Sequence, residues 1–449
     1  MVNQAAQVTR ITRATPAKVK CPALFFCAPA SGQGKTTITA GIARYHRNQG
    51  QEVRVFKTGP DYLDPLILQQ ASGKPVTQLD LWMVGEAECK HILYQAACEA
   101  DLILIEGVMG MFDGDPSGAD LAEYFGIPIA IVIDARAMAQ TFGAVALGLA
   151  THRPRLEIAG VIANAVAGER HQQLISESMP HQDKLHQVEL LGCVGRHPDI
   201  ALPEQHLGLV PPHEVADIDQ RLDALAEVMA QSGLTKVPAQ VEFEEHDTTE
   251  PERLLGGSTI GIARDDAFSF IYAANIKLLE QMGASCVYFS PLNDREIPSV
   301  DTLWLPGGYP ELHHQKLSSN HAMRQQIKEF HASGKKILAE CGGMLYLMNS
   351  LTDVHGNRAE MMAILPGDGI MRERGGCQGM QIAALPQGPL RAHAHHRTRC
   401  ENTAKPIAFG TRLRHSAAGE PIYQTGNVTA SYLHFYFPSN PRAIAKLLS

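Results

Sequence analysis

The chain has no run of about 20 apolar residues, the length a helix needs to cross a bilayer, so a helical membrane protein is excluded. It also lacks a basic cluster. Its 39 Lys and Arg are outnumbered by 47 Asp and Glu, for a formal charge of −8, which is not the footprint of a nucleic-acid or anionic-membrane surface. The nine cysteines (Cys21, Cys27, Cys89, Cys98, Cys193, Cys286, Cys341, Cys377 and Cys400) include no CxxC pair and no metal-ligand spacing. An odd, scattered set points to reduced thiols and a cytoplasmic setting rather than a disulfide framework. There is no internal repeat of the kind that builds solenoids. Residues 1–20 are basic and polar with no hydrophobic stretch behind them, so they are read as a flexible tail and not a secretory signal.

What is present is an ordinary soluble composition, 45% apolar and 19% charged, over 449 residues. A single core rarely grows beyond roughly 250–300 residues, so two domains are expected. In the first part, "ALFFCA", "EVRVFKTG", "ADLILIEG", "IPIAIVIDA" and "EIAGVIANAV" are short Ile/Val-rich runs, separated by longer amphipathic segments. That alternation predicts a parallel sheet with helices on both faces over 21–235. Residues 236–257 are acidic, carry two prolines and end in a glycine pair, so they are read as a linker. Alternation resumes with "TIGIARD", "SCVYFSPL", "TLWLPGG" and "KILAECGG", then runs into strands expected to be antiparallel towards "NVTASYLHFYF". The fold class is α/β throughout, with a second α/β domain over 258–449.

"FFCAPASGQGKTTITAGIA" lies between the first strand and a helical pattern. Ser31, Gly32, Gln33, Gly34, Lys35, Thr36 and Thr37 resemble a P-loop, although Pro29 replaces its first glycine. Glycines let backbone N–H groups curl around phosphate, Lys35 would reach the β- and γ-phosphates, and Thr36 would ligate Mg²⁺. Two further strand ends deliver carboxylates to the same sheet edge, where open α/β sheets bind ligands. Glu106 and Asp113 follow "ADLILIE", and Asp61 and Asp64 follow "EVRVFKT". Mg²⁺ needs such hard oxygen ligands.

The second domain poses a different problem in "ILAECGGMLYL", residues 337–347. A cysteine that only fills space needs no glycines beside it. One held at a strand-to-helix turn does, because only small neighbours let a carbonyl approach. Cys341 is flanked by Gly342 and Gly343, Gly307 and Gly308 follow the apolar strand of "LWLPGGYPEL", and His434 follows another in "TASYLHFYF". Thiol, base and unencumbered backbone N–H groups together resemble a thioester-forming amidase.

On these segments residues 258–449 resemble the class I type glutamine amidotransferases, and 21–233 resemble the dethiobiotin-synthetase-like ATPases. The tandem of "SGQGKTT", "KTGPDYLDP", "IEGVMGMFDG", "HLGLVP", "PGGYPELH", "AECGGMLYL" and "ASYLHFYF", in that order, resembles the cobyrinic acid a,c-diamide synthase family of cobalamin biosynthesis. The resemblance implies a two-site ligase. Cys341 would attack the side-chain amide of L-glutamine, His434 would shuttle the proton, and Gly307–Gly308 would hold the oxyanion. ATP with Mg²⁺ would activate the a and c acetates of a corrinoid as acyl phosphates. Thr36, Asp64 and Glu106 would be metal ligands, and Asp61, Tyr62, Asp64 and Asp113 would sit near the acetate or its phosphate. The expected partners are glutamine and a corrinoid, with a homodimer as a candidate assembly and neither nucleic acid nor membrane.

Related readings share most of this chemistry, namely a cobyric acid synthase or a nickel-sirohydrochlorin a,c-diamide synthase. A reading from another class is a ParA/MinD-like ATPase switch with an inactive amidase domain. Such switches carry a lysine five positions before the P-loop lysine, where this chain has Ala30. Departures from the family pattern are a His434-Phe435-Tyr436 run without the acid of a triad, Gln205 in place of arginine, Cys377 in "GGCQGMQ", and Ala394 in "AHAHHRT". The last three bear on substrate contacts.

Overall fold

The computed structural model describes residues 17–179, 188–198, 202, 204–205, 208–209, 212–246, 248–373 and 376–449. In the first half the strands are β1 (Lys18–Cys27), β2 (Val53–Thr58), β3 (Thr77–Leu79), β4 (Leu102–Glu106), β5 (Ile129–Asp134), β6 (Ile158–Val166) and β7 (Leu190–Gly195). They form a parallel sheet in the order β3-β2-β4-β1-β5-β6-β7. The central strands β4 and β5 are apolar on both faces because helices cover both sides, and every residue of β4 is buried.

Two expectations need correction here. The tail does not run to residue 20, since β1 begins at Lys18, and the segment read as a linker contains a strand, β8 (Gln240–Glu244). β8 pairs antiparallel with Lys18–Pro22. Its alternation of exposed and buried residues, with Val241 and Phe243 turned inward, is a half-buried strand signal that the surrounding acids and prolines obscured.

The second half contains β9 (Thr259–Ala263), β10 (Ser285–Phe289), β11 (Thr302–Leu305), β12 (Ile337–Glu340), β13 (Cys377–Leu385), β14 (Gly388–His396), β15 (Ala408–Arg412), β16 (Ala418–Thr425), β17 (Val428–Ser431) and β18 (His434–Phe435). One path joins them in the order β10-β9-β11-β12-β17-β16-β15-β13-β14-β18. From β10 to β17 neighbours are parallel, and from β17 to β18 they are antiparallel. The run "NVTAS" is therefore parallel to β12 on one side and antiparallel to β16 on the other. Only two residues separate β17 from β18 in the chain, yet they stand at opposite ends of the antiparallel stretch. The sheet must curl back on itself, which brings β18 beside the end of β12.

Between the halves lies an aromatic seam of Tyr62 and Met83 from the first and Phe270, Tyr272, Tyr309 and Tyr436 from the second. Among the described residues no helix is long and apolar enough to cross a membrane, and all nine cysteines are free.

Candidate active sites

The phosphate loop leaves the carboxyl end of β1 and enters the helix Lys35–Asn48. Gly32 and Gly34 have φ of +75° and +90°, left-handed values that favour glycine. A Cβ on Gly34 would also run into the Asn164 amide. That amide donates to the Gln33 carbonyl at 2.9 Å, and the Gln33 side chain accepts from Asp134 N at 2.9 Å, so the ends of β5 and β6 hold the loop. Ser31 and Gly32 are exposed and Thr37 is half-buried. Lys35 is buried and donates to the Met109 carbonyl at 2.9 Å. Burial holds its ammonium below the usual lysine range, with only partial compensation from Glu106.

Behind the loop lies a buried charge cluster. Lys57, 2% exposed at the end of β2, donates to Asp64 at 2.6 Å and Glu106 at 2.8 Å, with Asp61 at 3.5 Å. Thr36 Oγ1 donates to the same Glu106 oxygen at 2.7 Å. Burial raises the carboxyl of Asp61, with the Asp64 charge adding to it. Burial works the same way on Asp64, but Lys57 and hydrogen bonds from Asp61 and Thr36 together hold that carboxyl low. Glu106 is raised by burial despite Lys57. Three carboxylates converge on one buried ammonium, and Glu106 Oε2 has no hydrogen-bond partner among the described residues. A hard divalent cation fits that surplus of oxygen charge. Asp113 stands apart. It is exposed and accepts from Gly110 N at 3.1 Å, bracing the turn after β4. Tyr62 also faces away from the cluster, into the seam.

Cys341 sits where β12 meets the helix Gly342–Leu347, at φ 44° and ψ −102°. A non-glycine residue held there stores strain on the order of 1–3 kcal/mol. The turn is pinned by Cys341 N donating to the Ser431 carbonyl at 2.7 Å and Gly343 N to the Pro306 carbonyl at 3.0 Å. Three glycines keep the corner open. A Cβ on Gly307 would press into the His434 ring, 2.9 Å from Nδ1 and 3.3 Å from Cys341 Cβ. A Cβ on Gly342 would lie 3.0 Å from Gly308 N, the N–H an oxyanion would use. Thiol, imidazole and backbone donors therefore share one corner.

Among the described residues, the groups that act most strongly on the thiol include no cation. Burial pushes it well above the usual cysteine range, the Glu311 carboxylate adds to this, and the Gly342 N–H opposes it. His434 is 1% exposed, and burial, with His395 and His396 adding to it, lowers its pKa to about 3. Neither ring nitrogen finds a partner among the described residues. Burial thus favours the neutral form of both the thiol and the imidazole.

The two corners meet through Tyr62. Its ring lies 5.0 Å from His434, 5.0 Å from Phe270 and 4.6 Å from Tyr272. Its neighbours Asp61 and Asp64 belong to the Lys57 cluster, and Asp61 Oδ1 accepts from Leu63 N and Asp64 N to close the turn.

Sequence reasoning passed over Lys57, Asn164, Glu311 and Glu340. A lysine in the apolar strand "VRVFKT" was a readable signal, because a charge buried there requires acids opposite it.

A CobQ/CobB/MinD/ParA nucleotide binding domain matches residues 24–210, and a CobB/CobQ-like glutamine amidotransferase domain matches 259–442. The hydrogenobyrinate a,c-diamide synthase of Stutzerimonas stutzeri is 53% identical over 95% of this chain and 98% of that protein. The protein of that name in Pseudomonas aeruginosa is 50% identical over 96% and 98%. The cobyrinate a,c-diamide synthase of Herminiimonas arsenicoxydans is 46% identical over 94% and 95%. The chain belongs to the a,c-diamide synthase family. As a member of it, the chain is a glutamine-dependent amidating ligase with a nucleotide-binding half and an amidotransferase half.

Of the departures from the family pattern, Ala394 is fully buried in β14 and Cys377 opens β13 opposite His396. The side chain of Gln205 and most of the "HLGLVP" stretch lie outside the described residues.

Proposed function

We propose that this chain converts the a and c acetates of a corrinoid into primary amides, taking nitrogen from glutamine and driving force from ATP. The observation that carries the reading is the Cys341–His434–Gly307 corner standing against the seam, with the Tyr62 ring tilted over His434 at 5.0 Å and Asp61 and Asp64 of the Lys57 cluster one and two residues away in sequence. The two relatives at 53% and 50% identity bear the hydrogenobyrinate name, which makes the metal-free macrocycle the first substrate to assay.

In the amidotransferase half, His434 takes the Cys341 proton as sulfur attacks the glutamine amide carbon. The oxyanion is received by the Gly307 and Gly308 N–H groups. The His434 proton returns to the departing nitrogen, ammonia leaves, and water cleaves the γ-glutamyl thioester to glutamate and free thiol. In the other half an acetate oxygen attacks the γ-phosphorus of ATP and ADP leaves. Ammonia then displaces phosphate from the acyl phosphate and loses a proton. Lys35 would hold the phosphoryl group, while Lys57 holds the acids behind the loop. Thr36, Glu106 and Asp64 are the oxygens that would hold Mg²⁺, which when bound offsets phosphate charge. Asp61 and Asp113 stand at the same sheet edge for the macrocycle side chain. Ammonia is nucleophilic only unprotonated, so it would need a sheltered route, and the buried aromatic seam lies between the two corners.

The test is purified protein with MgATP, either corrinoid and glutamine or an ammonium salt, with products read by mass. Wild type should give a dicarboxamide from both nitrogen sources, Cys341→Ala only from ammonium, and Lys35→Ala from neither. No carboxamide from either corrinoid would overturn the reading.

A further inference from the structure

We propose that Glu340 is the positioning residue of the glutamine-hydrolysing corner, standing in for the acid that the His434-Phe435-Tyr436 run lacks. The proposal rests on the amidotransferase reading above.

Glu340 is the last residue of β12, directly before Cys341, and is 1% exposed. Its two oxygens reach in opposite directions. Oε2 accepts from Trp304 Nε1 at 3.0 Å, and Oε1 accepts from Phe435 N at 2.9 Å. Trp304 lies on β11, three residues before Gly307, and Phe435 is the residue after His434. One carboxyl group, its pKa pushed up to about 8 by burial against the two hydrogen bonds, therefore ties together the strand that carries the thiol, the strand that ends in the backbone donors, and the strand that carries the base.

The need for such a tie follows from His434 itself. An imidazole in a triad is oriented by an acid on its far nitrogen. Here neither ring nitrogen has a partner among the described residues, so the ring is aimed only by packing against Tyr62 and Phe270 and by its backbone. β18 is two residues long and joins the sheet at β14, the far end of the curled path. The Phe435 N–H bond to Glu340 is what closes that path across to β12. Both partners of the carboxyl are N–H donors and no ion pair reaches it among the described residues, so it serves as a paired acceptor. A buried carboxyl without a counter-ion is an expensive way to fill space, and an apolar residue would do that better. Its position one residue from the nucleophile and one hydrogen bond from the base accounts for it.

The experiment compares Glu340→Gln and Glu340→Ala with wild type. It reads the kcat and KM of glutamine hydrolysis, the rate of Cys341 alkylation by iodoacetamide, ammonium-supported ATP-dependent amide formation, and thermal melting. Misplacing a reacting pair by about 1 Å costs roughly a hundredfold in rate, so Glu340→Ala should lose about that much in glutaminase kcat. Gln keeps one acceptor and should fall between Ala and wild type. KM for glutamine and the ammonium-supported rate should stay within about threefold of wild type, since neither depends on how the base is aimed. Unchanged glutaminase kcat in Glu340→Ala would overturn the proposal. If the Ala variant does not fold, unchanged kcat in Glu340→Gln would do so. Loss of the ammonium-supported rate in the same proportion as glutaminase would also overturn it, because the carboxyl would then be holding the whole fold. Glutamine hydrolysis needs no corrinoid, so a failure of the corrinoid reading shows up separately, as a wild type that hydrolyses glutamine and makes no amide.

Discussion

At the residue scale, burial favours the neutral form of both partners of the Cys341–His434 pair. The His434 pKa, near 6.5 in an unfolded chain, is about 3 when folded, and burial of His393 pushes its imidazole well below its ordinary value too. As pH falls, the unfolded chain gains protons that the folded one refuses. The stability tied to these rings is whole above about pH 6.5 and drains as pH drops towards 3. Melting temperature should therefore fall between pH 7 and 5, and it should fall less in His434→Gln. Identical slopes in the two proteins would count against a neutral buried imidazole. Gly307 gives a second residue-scale test. Because a methyl there meets His434 and Cys341, Gly307→Ala should cut glutaminase about a hundredfold, with ammonium-supported synthesis kept.

At the scale of elements, the strand ends do the work. Lys57 at the end of β2 neutralises part of a cluster that Glu106 of β4 and the turn after β2, with Asp61 and Asp64, complete. Lys57→Met should leave Glu106 and Asp64 buried without their cation and destabilise the chain by about 3–5 kcal/mol, read by urea unfolding. A variant that unfolds like wild type would show that water satisfies those oxygens. The parallel strands of both halves were legible in the sequence because strands buried on both faces read as unbroken Ile/Val/Leu runs. β8 was not, because only two of its five residues point inward. The glycine loop and the cysteine turn were legible because their backbone chemistry admits few residue types. Glu340 and Lys57 were hidden because what marks them is the partner across the sheet, and strand order is not written locally.

At the scale of the whole molecule, the seam joins the two halves. Tyr62 belongs by sequence to the acid-rich turn of the ATP half, yet its ring lies on the base of the other half. The family resemblance offered Tyr62, with Asp61 and Asp64, for the neighbourhood of the acetate or its phosphate. It could not show that alternate residues of one turn face different domains. Tyr62→Ala opens the corner on its seam side, so more glutamine should be hydrolysed per amide formed, while the ammonium-supported rate holds. An unchanged ratio of glutamate to amide would mean that the ring only fills space.

The most direct test of the central claim follows nitrogen from one half to the other. Wild type and Cys341→Ala are each given MgATP, hydrogenobyrinic acid, glutamine carrying heavy nitrogen in its amide, and unlabelled ammonium salt, and the dicarboxamide is weighed. Wild type should carry the heavy label in both new amides, and Cys341→Ala should make the same product with only unlabelled nitrogen. Heavy label in the product of Cys341→Ala would contradict the account.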